Sequence, residues 1–238
     1  MTFENKNLNL SKPIPVDEFI YQVLYNPKNG YYIKKNPFGS TGDFITSPVI
    51  SNLFSEIIGI WITSTWEKIG KPKVFNIVEL GPGDGSLAKV LLDTFNKFPE
   101  LNSSIRFYLY EKSNLLKKYQ KKKLENYKVK WLKNFKEISE GPVIFFGNEF
   151  FDAIPIKQFL IKNKIIYEKH LSIVDNSGVY ESFERAKDED ISDLKSYKTF
   201  KNNNFIEFPK LGFSELNGVL DKISQLSGGI LLIDYGYL

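Results

Sequence analysis

An apolar run that ends on a carboxylate, breaks at alternate glycines and enters a helical pattern predicts an α/β fold, a Rossmann-like parallel sheet with helices on both faces. Three observations carry this expectation. Residues 74–87 read VFNIVELGPGDGSL, which is strand, glycine turn and helix start in succession. Further apolar runs of strand length recur at 105–110, 142–147 and 230–234. Between them, residues 86–98 and 214–226 carry apolar side chains at the 3.6-residue period.

Taken in chain order, residues 16–26 form a helix burying Phe19, Ile20, Val23 and Leu24, and Pro27 ends it. A glycine-rich loop at 39–48 leads to Ser47 as N-cap and Pro48 in the first turn of a long helix carrying Ile50, Leu53, Phe54, Ile57, Ile58 and Trp61. The first core strand ends on the carboxylate of Glu79, and the helix after the glycines places Leu87, Val90, Leu91 and Phe95 on one face. The second strand, 105–110, ends at Glu111. The basic run 117–123, with Leu116, Tyr119 and Leu124 interleaved behind a Ser113 cap, is a solvated helix face. A short strand at 129–132 and a longer one at 142–147 follow. Residues 158–174 read as an inserted β-hairpin, and the polar stretch 184–204 as a mobile excursion. A helix over 214–226, closed by Gly228 and Gly229, delivers the fifth strand at 230–234. The expected organisation is an N-terminal helical extension with a lid loop over 1–70, then a core over 71–238 interrupted at about 156–210.

The glycine spacing selects the ligand. A dinucleotide fingerprint places its third glycine at position 86, where this chain has Ser86; the glycines stand instead at Gly81, Gly83 and Gly85, with Pro82 between the first two. Glu79, two residues before the loop, repels a pyrophosphate and attracts a sulfonium or ammonium. Glu111 at the tip of the second strand can accept both hydroxyls of a ribose. A nicotinamide oxidoreductase is the least favoured alternative.

Bulk properties bound the rest. The chain of 238 residues is 42% apolar, enough for one substantial core with a small addition. Without cysteine there is no disulfide framework or thiolate metal site, and with His170 as the single histidine a zinc centre is not expected. The longest apolar stretch, 57–62, is too short to span a bilayer, and neither a signal nor a transit peptide is recognisable. The expectation is therefore a cytoplasmic protein. The net charge of +4 comes almost wholly from lysine and indicates no nucleic-acid partner.

Five segments in fixed order, namely NGYY at 29–32, GDFITSP at 42–48, ELGPGDG at 79–85, NEFFDAIP at 148–155 and IDYGY at 233–237, resemble the MidA-like methyltransferases. The resemblance implies a class I fold dependent on S-adenosyl-L-methionine (SAM) and, through the family's mitochondrial branch, methylation of a protein arginine in support of respiratory complex I assembly. It implies cofactor contacts from Glu79, Gly81, Pro82, Gly83, Gly85, Glu111 and Asn148, with Gly42 and Asp43 in a lid. Two departures stand out. Val49 occupies a position that is usually acidic, and family members run on past the IDYGY segment, so C-terminal strands are expected to be missing here.

Arginine sets its own requirement. Its guanidinium is protonated at neutral pH and planar, so carboxylates that orient the fork and localise its charge favour attack by one nitrogen. Glu149 and Asp152, three apart after the fourth strand, are the expected catalytic pair if that segment makes a helical turn. Phe150 and Phe151 read as core wedges, and Asp234 with Tyr235 stands on the substrate side. Other readings are a non-catalytic assembly factor that keeps the fold and a small-molecule methyltransferase.

Overall fold

The computed structural model describes residues 11–34, 52–173, 178–197 and 203–236. In chain order its elements are β1 (Ile14–Pro15), α1 (Val16–Tyr25), α2 (Tyr31–Lys34), α3 (Asn52–Lys68), β2 (Phe75–Leu80), α4 (Ser86–Phe95), α5 (Pro99–Ser104), β3 (Ile105–Tyr110), α6 (Asn114–Lys123), β4 (Val129–Leu132), β5 (Val143–Asn148), β6 (Lys157–Lys162), β7 (Ile165–Ile173), β8 (Val179–Arg185), α7 (Asp188–Ser196), β9 (Phe205–Phe208), α8 (Lys210–Leu226) and β10 (Gly228–Ile233).

They form two compact units. The core unit, residues 32–153 and 216–238, holds a parallel sheet in the order β10-β5-β2-β3-β4. Every residue of the central β2 is buried, as expected of a strand covered on both faces. Successive side chains go to opposite faces. Phe75 and Ile77 join Ile58 and Ile62 of α3 and Leu91 and Phe95 of α4 in one cluster, while Val78 and Leu80 join Phe145 and Val219 of α8 in the other. Asn76, inside β2 and fully buried, donates from its amide to the carbonyls of Glu140 (2.7 Å), Gly141 and Pro142 (both 3.1 Å), tying the entry of β5 to the sheet centre.

The register aligns the carboxyl ends. Leu80 stands opposite Tyr110 and Gly147, Tyr110 opposite Leu132, and Asn148 opposite Ile233. Because the order reverses between β2 and β5, the loops leaving these two strands part to opposite faces and leave a crevice at their tips.

The second unit, residues 1–31 and 154–215, carries an antiparallel sheet in the order β1-β7-β6-β9, with β8 on the other side of β7. It is larger than the expected hairpin. The hairpin itself is present as β6 and β7, joined through Asn163 (φ 50°) and Lys164 (φ 65°), both in the left-handed region that a two-residue type I′ turn demands. The polar stretch expected to be an excursion contributes instead β8, α7 and β9, and Leu194 of α7 packs with Phe159, Ile206 and Phe208. Lys157, 12% exposed, lies 2.5 Å from Glu168, 3.5 Å from Asp17 and 3.6 Å from Asp190, and Lys210 lies 2.9 Å from Asp190. These pairs link α1, β6, β7, α7 and the start of α8. The two units cut the chain elsewhere than the expected boundary at residue 70, since α3 belongs to the core unit and α1 to the other.

Two further details differ from expectation. The buried side of α3 is Ser55, Ile58, Gly59, Ile62 and Trp66, whereas Leu53 and Ile57 are exposed. α8 is followed by Ser227 in the left-handed position (φ 63°), not by a glycine. Gly228 is needed for another reason: a Cβ there would stand 1.8 Å from the Val143 carbonyl oxygen.

Candidate active site

The segment 81–85 turns back on itself at the end of β2. Gly81, Gly83 and Gly85 all take positive φ (64°, 54° and 82°), which only glycine adopts without strain, and the Gly85 amide donates to the Pro82 carbonyl across the turn (2.8 Å). A Cβ at Gly81 would stand 2.8 Å from the Phe150 ring, so the first glycine also makes room for the segment after β5. Asp84 accepts from the Ser86 amide (2.9 Å) and the Lys123 ammonium (2.5 Å), anchoring the start of α4.

Glu79 lies behind this turn, 2% exposed, and its Oε2 has no hydrogen-bond partner among the described residues. Burial, together with the charges of Asp84 and Glu111, pushes its carboxyl up to about 8. A buried carboxyl with an unmatched oxygen at the foot of the glycine turn suits a cationic ligand, whose charge would favour its ionised form.

Glu111 follows β3. Its Oε1 accepts from the Ser113 amide (2.7 Å) and its Oε2 from the Gln120 side chain (3.2 Å). Burial raises its carboxyl and these hydrogen bonds oppose the rise. Gln120 was not expected: the sequence presents it within the lysine-rich face of α6, yet it is fully buried. Its amide nitrogen also donates to the Gly83 carbonyl (2.7 Å), and its oxygen accepts from the Trp131 indole (2.8 Å). The available signal was its place four residues after Leu116, the other buried residue of α6.

At the far side of the crevice, the chain after β5 does not form the expected helical turn. Glu149 sits at φ 53°, and its amide donates to the Ile233 carbonyl (2.8 Å), so the reversal is held by β10. Asn148, at the tip of β5, directs its amide toward the Glu149 carboxylate (3.4 Å). Phe150 packs edge-on to Tyr110 and Phe151. Asp152 comes into the field of Glu149 even so. Desolvation, then the charges of Asp234 and Glu149, push it up to about 6, although the residue as a whole is exposed to solvent. The Tyr235 hydroxyl hydrogen-bonds Glu149, whose charge raises the phenol. Tyr32, partly buried, is pushed up to about 12 by desolvation and by Asp152, Glu111 and Glu149. The structure thus gathers Glu149, Asp152, Asp234, Tyr235 and Tyr32 in one acidic patch within the core unit, of which the last three were not in the expected catalytic set. Gly42 and Asp43, expected in a lid, lie outside the described residues.

A parallel sheet with a glycine turn after its central strand, an acid at the tip of the next, and acids after β5 and β10 defines a nucleotide-cofactor enzyme fold of the class I methyltransferase type. The match to a protein-family model is more specific. Residues 57–238 fit the family described as S-adenosyl-L-methionine-dependent methyltransferases, and the chain belongs to that family, in its MidA-like branch. The Drosophila melanogaster protein arginine methyltransferase NDUFAF7 homolog, mitochondrial, is 30% identical over 251 residues, covering 94% of this chain and 57% of the fly protein. The Homo sapiens protein arginine methyltransferase NDUFAF7, mitochondrial, is 34% identical over 171 residues, covering 62% of this chain and 39% of the human protein. A Burkholderia thailandensis protein crystallised with S-adenosyl-homocysteine superposes with a TM-score of 0.75 at 24% identity, over 94% of this chain and 59% of that one. The chain spans less than three fifths of the length of the curated relatives named here.

SAM is the cofactor of this family. Glu79, with its unmatched oxygen beside the glycine turn, fits the cationic end of that molecule. The expectation of a cytoplasmic protein is corrected by the relatives, which are named as mitochondrial. Among the described residues no helix is long and apolar enough to cross a membrane.

Proposed function

We propose that this chain carries the catalytic core of a protein-arginine methyltransferase. The single observation behind this reading is the acidic patch of Glu149, Asp152 and Asp234, set after β5 and β10 at the same sheet edge as the glycine turn. SAM supplies an electrophilic methyl group on a sulfonium. Glu79 would face its cationic end, the backbone of Gly81, Pro82, Gly83 and Gly85 would lie along it, and Glu111 would accept from the ribose hydroxyls. Asn148 holds Glu149 in place.

An incoming guanidinium meets Glu149 and Asp152, which grip its planar fork and draw positive charge away from one nitrogen. That nitrogen would be the one aligned with the cofactor's methyl group, and Asp152 would accept the proton it gives up. A carboxyl near 6 is mostly ionised at neutral pH yet basic enough to accept it. Most of the acceleration comes from alignment of the two reactants.

The mitochondrial relatives' names support a protein substrate, and the family resemblance extends the proposal to a core subunit of respiratory complex I. The test is incubation of the chain with methyl-labelled SAM and an unmethylated complex I core subunit, followed by mass mapping of the label. Label on an arginine, lost in Asp152→Asn, supports the reading. Saturable SAM binding without transfer marks a non-catalytic assembly module instead.

A further inference from the structure

We propose that Gln120 is a positioning residue that joins the two cofactor-holding elements, setting the turn carbonyl of Gly83 and the carboxylate of Glu111 in one rigid frame that selects a ribose with a free 2′-hydroxyl. This rests on the proposed role of Glu111. The amide nitrogen of Gln120 spans from Gly83 O (2.7 Å) to Glu111 Oε2 (3.2 Å), so one NH2 group uses both protons, each on a different element. The direction of that amide is not free. The Trp131 indole donates to its oxygen at 2.8 Å, which excludes the flipped arrangement in which the oxygen would face Gly83 O and a carboxylate.

The backbone beside it is matched to the same side chain. A Cβ at Gly85 would lie 3.5 Å from Gln120 Cγ and 3.6 Å from its Cα, so the third glycine of the turn packs directly on α6 at this residue. With no exposed surface, Gln120 has no solvent to replace any of these partners.

The consequence for Glu111 is geometric. Its Oε1 accepts from the Ser113 amide, its Oε2 from Gln120, and the Lys112 amide bonds the same carboxylate, so its plane is fixed and its remaining acceptor capacity is held in one direction for a ribose hydroxyl. A hydroxyl placed there then binds in a single pose. Without Gln120 the carboxylate keeps only the backbone amides of Ser113 and Lys112, its Oε2 loses the side-chain anchor that ties it to the turn, and an influence opposing the burial-driven rise of its pKa is lost. Glu111 would then take up a proton at a higher pH and offer a donor where the ribose needs an acceptor.

A merely structural glutamine would weaken every ligand alike, so the discriminating readout is a ratio. S-adenosyl-homocysteine and its 2′-deoxy analogue are titrated calorimetrically into the wild-type chain, Gln120→Leu and Trp131→Phe between pH 6 and 8.5. The wild type is expected to prefer the ribose ligand by roughly tenfold, the worth of a hydrogen bond to a charged group. In Gln120→Leu that preference falls toward unity at pH 6 and recovers in part as pH rises. Trp131→Phe keeps Gln120 while freeing its amide and shows an intermediate ratio, and it carries the test alone if the leucine variant does not fold. An unchanged ratio in both variants overturns the inference while leaving the cofactor reading intact. No binding of either ligand to the folded wild type overturns both.

Discussion

At the scale of single residues, the site is governed by carboxyls that burial forces toward neutrality. Glu79 has a folded value near 8 against an ordinary value of 4.5. With the folded value raised, its contribution to stability is fully present below about 4.5 and is lost as pH rises through about 8, because the unfolded chain releases the proton more readily. The ligand-free protein is therefore expected to melt at lower temperature at pH 8 than at pH 6, and Glu79→Gln to flatten that slope in a thermal melt series. Cofactor binding runs the other way. A cation facing Glu79 favours the ionised form, so SAM affinity rises with pH toward 8, and protons are released on binding, measurable by calorimetry in buffers of different ionisation enthalpy. For Asp152, near 6, protonation would remove the base proposed for transfer. Turnover should fall as pH drops through that value, and Asp152→Asn should lower kcat by roughly a hundredfold or more while SAM binding holds.

At the scale of elements, the parallel strands were legible because each is a short apolar run ending at a turn signal, and 105–110 and 129–132 coincide with β3 and β4. The glycine turn was legible because three glycines at alternate positions have few other uses. The buried side of α3 was not, since apolar residues ring that helix and periodicity alone does not say which of Ile57 and Ile58 faces inward. Nor was α7, because a segment reading DEDISDLKS looks solvated until Lys210 and Lys157 neutralise Asp190. The acidic patch was legible in part: Glu149 and Asp152 are neighbours in sequence and Asp234 with Tyr235 was expected on the substrate side from the tip of the fifth strand, whereas nothing in the sequence brought Tyr32 to them. The β6–β7 turn shows where local chemistry yields to tertiary demand. Lys164 at φ 65° stands where glycine is preferred, so Lys164→Gly is expected to stabilise the chain by about 0.5–1 kcal/mol in a denaturant titration.

At the scale of the whole molecule, the two units rely on different physics. The core unit rests on apolar clusters on both faces of its sheet, while the other combines a smaller apolar cluster with a nearly buried ion-pair chain. Removing one member of such a chain leaves its partners' charges uncompensated. Lys157→Met is therefore expected to cost about 3–5 kcal/mol, read by denaturant melts, even though methionine nearly matches the shape. Saturating S-adenosyl-homocysteine should raise the melting of the wild type, with a gain near 2.7 kcal/mol at a hundred times its Kd.

The pairing of β5 with β10 places Glu149 and Asp234 side by side, though the 84 positions between them include four of the five strands of the second sheet. During synthesis the glycine turn, Glu79 and Glu111 leave the ribosome well before β10 exists, so a nascent chain can assemble the cofactor side early. The acidic patch has no such early form. It comes into being only when β10 docks, so it forms after the cofactor side and depends on the intervening chain having folded out of the way.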